Sequence, residues 1–107
     1  MKVVIVGLAV LFSSSALAMN SSGVIAKILT WADYTGGVYL IQLDTVNSQC
    51  SDGYWLDDSQ SRASANILAS ALSAYHSKSA VKIYADENND WPTRGGQQCK
   101  IQLLVLE

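Results

Sequence analysis

Alternation of apolar and polar residues marks most of the regular structure in this chain. Side chains alternate between the two faces of a strand, so a period of two rich in β-branched and aromatic residues predicts a strand. The segments with this pattern are GVIAKILTW (Gly23–Trp31), GVYLIQLD (Gly37–Asp44), AVKIYAD (Ala80–Asp86) and CKIQLLVLE (Cys99–Glu107), with a short strand-like segment at Tyr54–Leu56. Short turn-rich connections predict that the first two and the last two segments form antiparallel hairpins.

A different spacing, three to four residues, predicts one helix from about Ser59 to Ser77. The apolar stripe on this helix comprises Ser64, Ile67, Leu68, Ala71, Leu72 and Tyr75. Asp57, Asp58 and Ser59 precede it and are residue types that cap helices, so we interpret the acidic pair as capping rather than as two catalytic carboxylates. His76 stands in the last turn, where positive charge suits the helix dipole.

The order is therefore strand, strand, short strand, helix, strand, strand. This order predicts a mainly β protein with one helix (α+β), folded as a small five-stranded barrel. It resembles the OB type of barrel, which carries a helix between its third and fourth strands. An open α+β sheet with one helix is the competing architecture.

The first eighteen residues, MKVVIVGLAVLFSSSALA, have the layout of a bacterial secretory signal peptide. Lys2 precedes an apolar run from Val3 to Phe12, and small residues end at Ala18. The run is too short to cross a bilayer as a helix. We therefore expect cleavage after Ala18, a single domain over Met19–Glu107, and a periplasmic or secreted protein.

Charge and cysteine content narrow the function classes. The full chain has a formal net charge of −2, and loss of Lys2 with the signal peptide makes it more acidic, so nucleic acid is not an expected partner. The mature part carries no second apolar span, which predicts no membrane span there. Two cysteines in a small exported domain most simply form one disulfide, Cys50–Cys99, stabilising it by about 4 kcal/mol. A metal pair or a catalytic thiol would need further ligand or base residues.

Candidate catalytic and metal-binding residues are few. His76 is the one histidine, and no G-x-S-x-G motif is present, so we expect no enzyme activity and no cofactor. A hydrolase is the least favoured hypothesis. The segment Asp86–Asp90 has oxygen ligands spaced as at the start of an EF-hand loop, but Trp91 replaces the turn glycine and the final glutamate is missing. We expect an exposed acidic loop and no metal, with weak calcium binding left open.

Aromatic residues near strand ends are the main candidates for binding. Tyr34, Tyr54, Trp55 and Trp91 are the predicted ligand-binding residues. Their flat faces suit stacking on a sugar ring or anchoring a protein partner. The alternative is structural: Trp31 and Trp55 would fill the core, and Trp91 would cover the disulfide.

The signal peptide, the paired strands, the helix ASANILASALSAYHS leading into AVKIYAD, and the final strand CKIQLLVLE together resemble the binding (B) subunits of AB5 bacterial toxins. The resemblance is one of architecture, and it implies a glycan or protein ligand and a homo-oligomer, a pentamer. Cys99 departs from the pattern, because it falls in the last strand and not in the strand directly after the helix.

These observations predict a non-enzymatic binding protein that recognises a glycan or a protein through loop aromatics. The alternative is a periplasmic inhibitor or immunity protein that blocks a partner enzyme with an acidic loop such as Asp86–Asp90.

Overall fold

The computed structural model describes residues 19–32, 37–88 and 96–107. Within these ranges five strands form one sheet and one α-helix packs against it. The elements are β1 (Met19–Trp31), β2 (Val38–Leu43), β3 (Gly53–Asp57), α1 (Ser61–Ser77), β4 (Ala80–Asp86) and β5 (Gln98–Leu106). The prediction of a mainly β protein with one helix is confirmed, and so is the predicted element order.

The strands hydrogen-bond in a closed ring with the order β1-β2-β3-β5-β4. Strand β1 pairs with β2 through its second half and with β4 through its first half, both antiparallel. β4 and β5 form the predicted antiparallel hairpin, whereas β3 and β5 run parallel. The order begins with β1 and ends with β4, and these two strands also pair with each other. The sheet therefore closes on itself instead of forming the open sheet that we considered as the alternative.

The first strand is longer than its sequence pattern indicates. Its predicted start is Gly23, but Met19 is already paired with Ala85, and the polar residues that follow continue the pairing with β4. Asn20 and Ser22 point outward and are exposed, while Ser21 is buried. Polar residues at these positions show no alternation that would predict a strand. This part of β1 is therefore recognised only from its pairing with β4.

One large core lies between the ring and the helix. Its buried members are Ile25, Tyr39, Ile41, Leu43, Cys50, Tyr54, Leu56, Ala71, Ala74, Val81, Ile83, Ala85, Cys99 and Ile101. The predicted disulfide between Cys50 and Cys99 is present, and both cysteines are buried. It joins the turn before β3 to the start of β5, beside the parallel strand pair.

The helix begins two residues later than predicted. Residues 58–60 form a 3₁₀ turn first, whose N-cap is Asp57: its carboxylate accepts a hydrogen bond from the Ser59 N–H at 3.0 Å. The capping interpretation is therefore confirmed for Asp57 at this turn, but it is wrong for the start of α1, where the N-cap residue Gln60 makes no side-chain capping hydrogen bond. The predicted apolar stripe is wrong at one position, because Leu72 is 41% exposed and Ala74 is buried instead. At 100° per residue, position 74 shares the face of Ala71 and Ile67, while position 72 is turned toward the side of the helix.

Two other expectations concern the predicted signal peptide and the absence of a membrane span. The predicted signal peptide, residues 1–18, lies outside the described residues. In the part of the chain that the structure describes, no helix combines the length and the apolar character needed to span a membrane.

Candidate functional site

The predicted ligand-binding residue Trp55 lies on the outer face of the sheet. It is only 5% exposed and packs with Val38 and Leu40, and the partly buried Leu29 and Trp31 pack against this group. The Lys100 ammonium lies 5.5 Å from the centroid of the Trp55 ring, a cation–π contact. The Trp55 ring is therefore covered on one side by the chain itself, which leaves little of it for a ligand to stack on.

The second predicted residue, Tyr54, faces the opposite way, into the core. Its side chain is 2% exposed, and its hydroxyl donates a hydrogen bond to the Ser21 hydroxyl oxygen at 2.6 Å. Burial raises the pKa of Tyr54 above its ordinary value of 10.0, against the smaller lowering effect of the Ser21 hydrogen bond. In this position Tyr54 joins β3 to the start of β1 and is closed to a ligand.

Replacing Tyr54 with phenylalanine tests this structural role. We expect the free energy of unfolding to fall by about 1.5 kcal/mol, because the Ser21 hydroxyl would stay buried without its partner. The double variant Tyr54→Phe/Ser21→Ala removes both polar groups and should recover most of that loss. Urea denaturation of the two variants and of Ser21→Ala gives the coupling energy, and additive effects would contradict the contact.

The other two predicted aromatics, Tyr34 and Trp91, lie outside the described residues. Their positions in the chain place them in the β1–β2 and β4–β5 connections. Their role in binding stays a prediction.

An open cleft of about 400 Å³ lies where the β1–β2 hairpin meets the first half of α1. We call it the Trp31 cleft. Its residues are Thr30, Trp31, Gly37, Val38, Tyr39, Asp58, Ser61, Ser64, Ala65 and Leu68. Small ligands are commonly bound in cavities of about 300–1,000 Å³. The cleft therefore has the size of a small-molecule site.

Strand pairing and helix geometry bring the walls of this cleft together. Trp31 and Val38 are the last paired residues of the hairpin. On the helix, Ser61, Ala65 and Leu68 are spaced by four and three residues and so lie along one side. Small residues on both walls, Gly37 and Ala65 among them, leave the space between strand and helix open.

Tyr39 holds the two walls in place. Its hydroxyl donates to the Ser64 backbone carbonyl at 2.8 Å, which joins β2 to the helix at the cleft. Burial raises the pKa of Tyr39 above its ordinary value of 10.0 and outweighs the effect of the Ser64 contact, so the hydroxyl remains a donor at neutral pH. This hydrogen bond therefore fixes the position of the two apolar walls relative to each other. Thr30, Asp58 and Ser61 are exposed side chains at the rim of the cleft.

A second cleft, of about 340 Å³, lies on the other side of the helix start. We call it the Lys100 cleft. Its residues are Leu56, Gln60, Ala63, Ile67, Asp86, Lys100, Ile101 and Gln102. In contrast to the Trp31 cleft, it combines an ammonium group, a carboxylate and two amides with an apolar base.

Lys100 also acts on the helix cap. Burial alone would raise the pKa of Asp57, but hydrogen bonds from the Ser59 hydroxyl and N–H and the nearby Lys100 ammonium outweigh it and lower that pKa. Asp57 is therefore ionised at neutral pH, and Lys100 lies within electrostatic reach of it. The ammonium thus contacts the Trp55 ring and stabilises the ionised Asp57 from nearby, without an ion pair to it.

The residues considered for catalysis or metal binding do not form a cluster in the described ranges. No group of three histidine, cysteine or acidic side chains there could hold a metal ion. His76 is exposed at the end of α1, where its ring contacts Tyr75 edge-on. In the segment Asp86–Asp90, the Asp86 carboxylate accepts a hydrogen bond from the Asn88 N–H at 2.9 Å, and the last two residues lie outside the described ranges.

Several cleft residues went unnoticed in the sequence. The structural alternative places Trp31 in the core, Asp58 is one of three residues considered as caps, and Thr30, Ser61, Gln60 and Gln102 give no signal. The available clue is positional: Trp31 ends a strand next to a turn, a place where an aromatic side chain can be only partly covered. Comparison of the chain with protein-family models, with curated proteins and with solved structures finds no match.

Proposed function

We propose that this protein is an exported, non-enzymatic binding protein that recognises a glycan in the Trp31 cleft. The observation that carries the proposal is the open cleft itself, with an aromatic wall and a polar rim. The contact residues differ from those predicted, because Trp31 replaces Tyr54 and Trp55 as the central aromatic.

The chemistry of the cleft matches that of a sugar ring. One face of a pyranose carries mainly C–H groups and packs well on an aromatic side chain, while its edge carries hydroxyls. Trp31, Val38 and Leu68 offer the apolar contact. Thr30, Asp58 and Ser61 offer a carboxylate acceptor and two hydroxyls that both donate and accept.

We further propose that the closed ring is an OB-type barrel. The parallel β3–β5 pair and the helix between β3 and β4 support this, and OB barrels are known to bind oligosaccharides as well as oligonucleotides. The buried disulfide supports export, since disulfides persist in oxidising compartments. Cleavage after Ala18 stays part of this proposal.

Assembly into a ring of copies, a pentamer, is also proposed. Strand β5 leaves Leu103 and Leu106 43% and 51% exposed, and burial of such residues favours self-association. Native mass measurement of the mature protein tests this directly, and a monomer at physiological concentration would contradict it.

A glycan array probed with the mature protein tests the binding function. We expect a defined set of glycans to bind, and Trp31→Ala to weaken that binding about thirtyfold, equivalent to about 2 kcal/mol, through loss of the aromatic contact. Tyr75→Ala is the matched control: it removes another partly buried aromatic from outside both clefts. It should reduce stability without changing glycan affinity.

An empty array, or equal losses of affinity for Trp31→Ala and Tyr75→Ala, would contradict the glycan proposal. The alternative function, an inhibitor or immunity protein, would then gain support if a partner enzyme were bound and inhibited. The apolar walls of the Trp31 cleft suit an apolar side chain of a protein as well, which is why this second candidate is kept.

A further inference from the structure

The two clefts flank the start of α1, one on each side, and both reach the connection between β3 and α1. Asp58 and Ser61 border the Trp31 cleft, and Gln60, between them in the chain, borders the Lys100 cleft. A ligand long enough to cross this connection can therefore extend from one cleft into the other. The Asp57 cap holds this connection in its 3₁₀ turn.

The polar groups of the Lys100 cleft remain available to a ligand. Asp86 and Lys100 are paired across β4 and β5, yet they form no ion pair with each other. The Lys100 ammonium is positioned by the Trp55 ring, and the Asp86 carboxylate accepts only one described hydrogen bond, from the Asn88 N–H. Gln60 and Gln102 present amides that both donate and accept.

This combination suits a neutral, hydroxyl-rich ligand better than an ion. A free anion would meet Lys100 but also the carboxylate of Asp86, and a free cation would meet the ammonium. A sugar hydroxyl avoids this conflict, because it donates to a carboxylate and accepts from an ammonium or amide at once. The apolar base of Leu56, Ile67 and Ile101 can contact the C–H groups of the ring.

We propose that the Lys100 cleft is a second sugar subsite, so that the protein recognises a neutral oligosaccharide that crosses the β3–α1 connection with one residue in each cleft. This inference rests on the proposed glycan binding in the Trp31 cleft. The second subsite adds affinity because its residue is delivered by a linkage to the first and binds at a high effective concentration.

The test uses the best-bound neutral glycan of the array and the monosaccharides of which it is made. Lys100→Met keeps an aliphatic stem over Trp55 and removes the charge, and Asp86→Asn keeps the shape of its side chain. Each should weaken calorimetric binding of the oligosaccharide about tenfold, the effect of losing a charge-assisted hydrogen bond. Binding of the monosaccharide that occupies the Trp31 cleft should not change.

A third variant guards against effects on folding. Gln102 is exposed on β5, so Gln102→Ala should fold normally and still weaken the oligosaccharide. Gln49→Ala, an exposed glutamine outside both clefts, is the matched control and should leave binding unchanged. Nuclear magnetic resonance adds a direct readout, because the side-chain amide signals of Gln60 and Gln102 should shift with the oligosaccharide.

The failures of the two proposals can be told apart. An array without any bound glycan overturns both. Binding that depends on Trp31 but is unchanged in Lys100→Met, Asp86→Asn and Gln102→Ala overturns the second subsite alone. Equal weakening of monosaccharide and oligosaccharide by these variants also overturns it, since the cleft would then not hold a separate residue.

Discussion

Removal of the Cys50–Cys99 disulfide is expected to lower the free energy of unfolding by about 4 kcal/mol. The bond joins residues 49 positions apart, and opening it lets the unfolded chain explore many more conformations. A domain of this size has a total stability of about 5–10 kcal/mol, so the loss is a large part of it. The variant Cys50→Ala/Cys99→Ala should therefore unfold at a much lower urea concentration than the oxidised protein.

The double variant also supplies its own control. Addition of a reductant should move the unfolding midpoint of the original protein toward that of Cys50→Ala/Cys99→Ala, and should leave the variant itself unchanged. If the reduced protein kept the midpoint of the oxidised one, the disulfide would contribute little, and the fold would depend on its apolar core instead.

The strands with strong alternation were predictable nearly to the residue. β4 has the predicted bounds, Ala80–Asp86, and its burial alternates as the pattern requires, with Val81, Ile83 and Ala85 inside. In such a segment the local pattern and the tertiary environment agree, since one face of the strand packs on the core and the other meets solvent.

The start of β1 shows where local patterns fail. Asn20, Ser21 and Ser22 have low β propensity, and they form a strand because their backbone pairs with β4. The hydrogen bond between Ser21 and Tyr54 joins residues 33 positions apart, which no local window can reveal. For the same reason, Tyr54 looked like a surface aromatic in sequence and lies in the core in the structure.

The Trp31 cleft could not be predicted because it is an arrangement of space between distant segments. Trp31 and Leu68 are far apart in sequence, and the gap between them depends on small residues on both walls. Sequence analysis placed the binding candidates among aromatics at strand ends, but it had no means of choosing which of them lines an open cleft. The choice follows from ring closure and from the position of the helix.

Substitution of Gly53 is expected to have the second largest effect on stability. Gly53 opens β3 with a φ of +116°, a conformation that side chains rarely adopt, and an added Cβ would lie 2.9 Å from the Ile41 backbone oxygen on the paired strand. Strain and clash act together there, so Gly53→Ala should lower the free energy of unfolding by about 3 kcal/mol. Thermal and urea unfolding both measure this.

Gly37→Ala separates the two causes. Gly37 also has a positive φ, +94°, but an added Cβ would approach the nearest heavy atom, the Trp31 backbone oxygen, only to 3.4 Å. In this variant backbone strain alone should lower the free energy of unfolding, by about 1 kcal/mol. The difference from the loss in Gly53→Ala then measures the clash against β2. Equal losses at the two positions would show that strain accounts for the whole effect, and that the β2–β3 pair tolerates a methyl group at its tightest point.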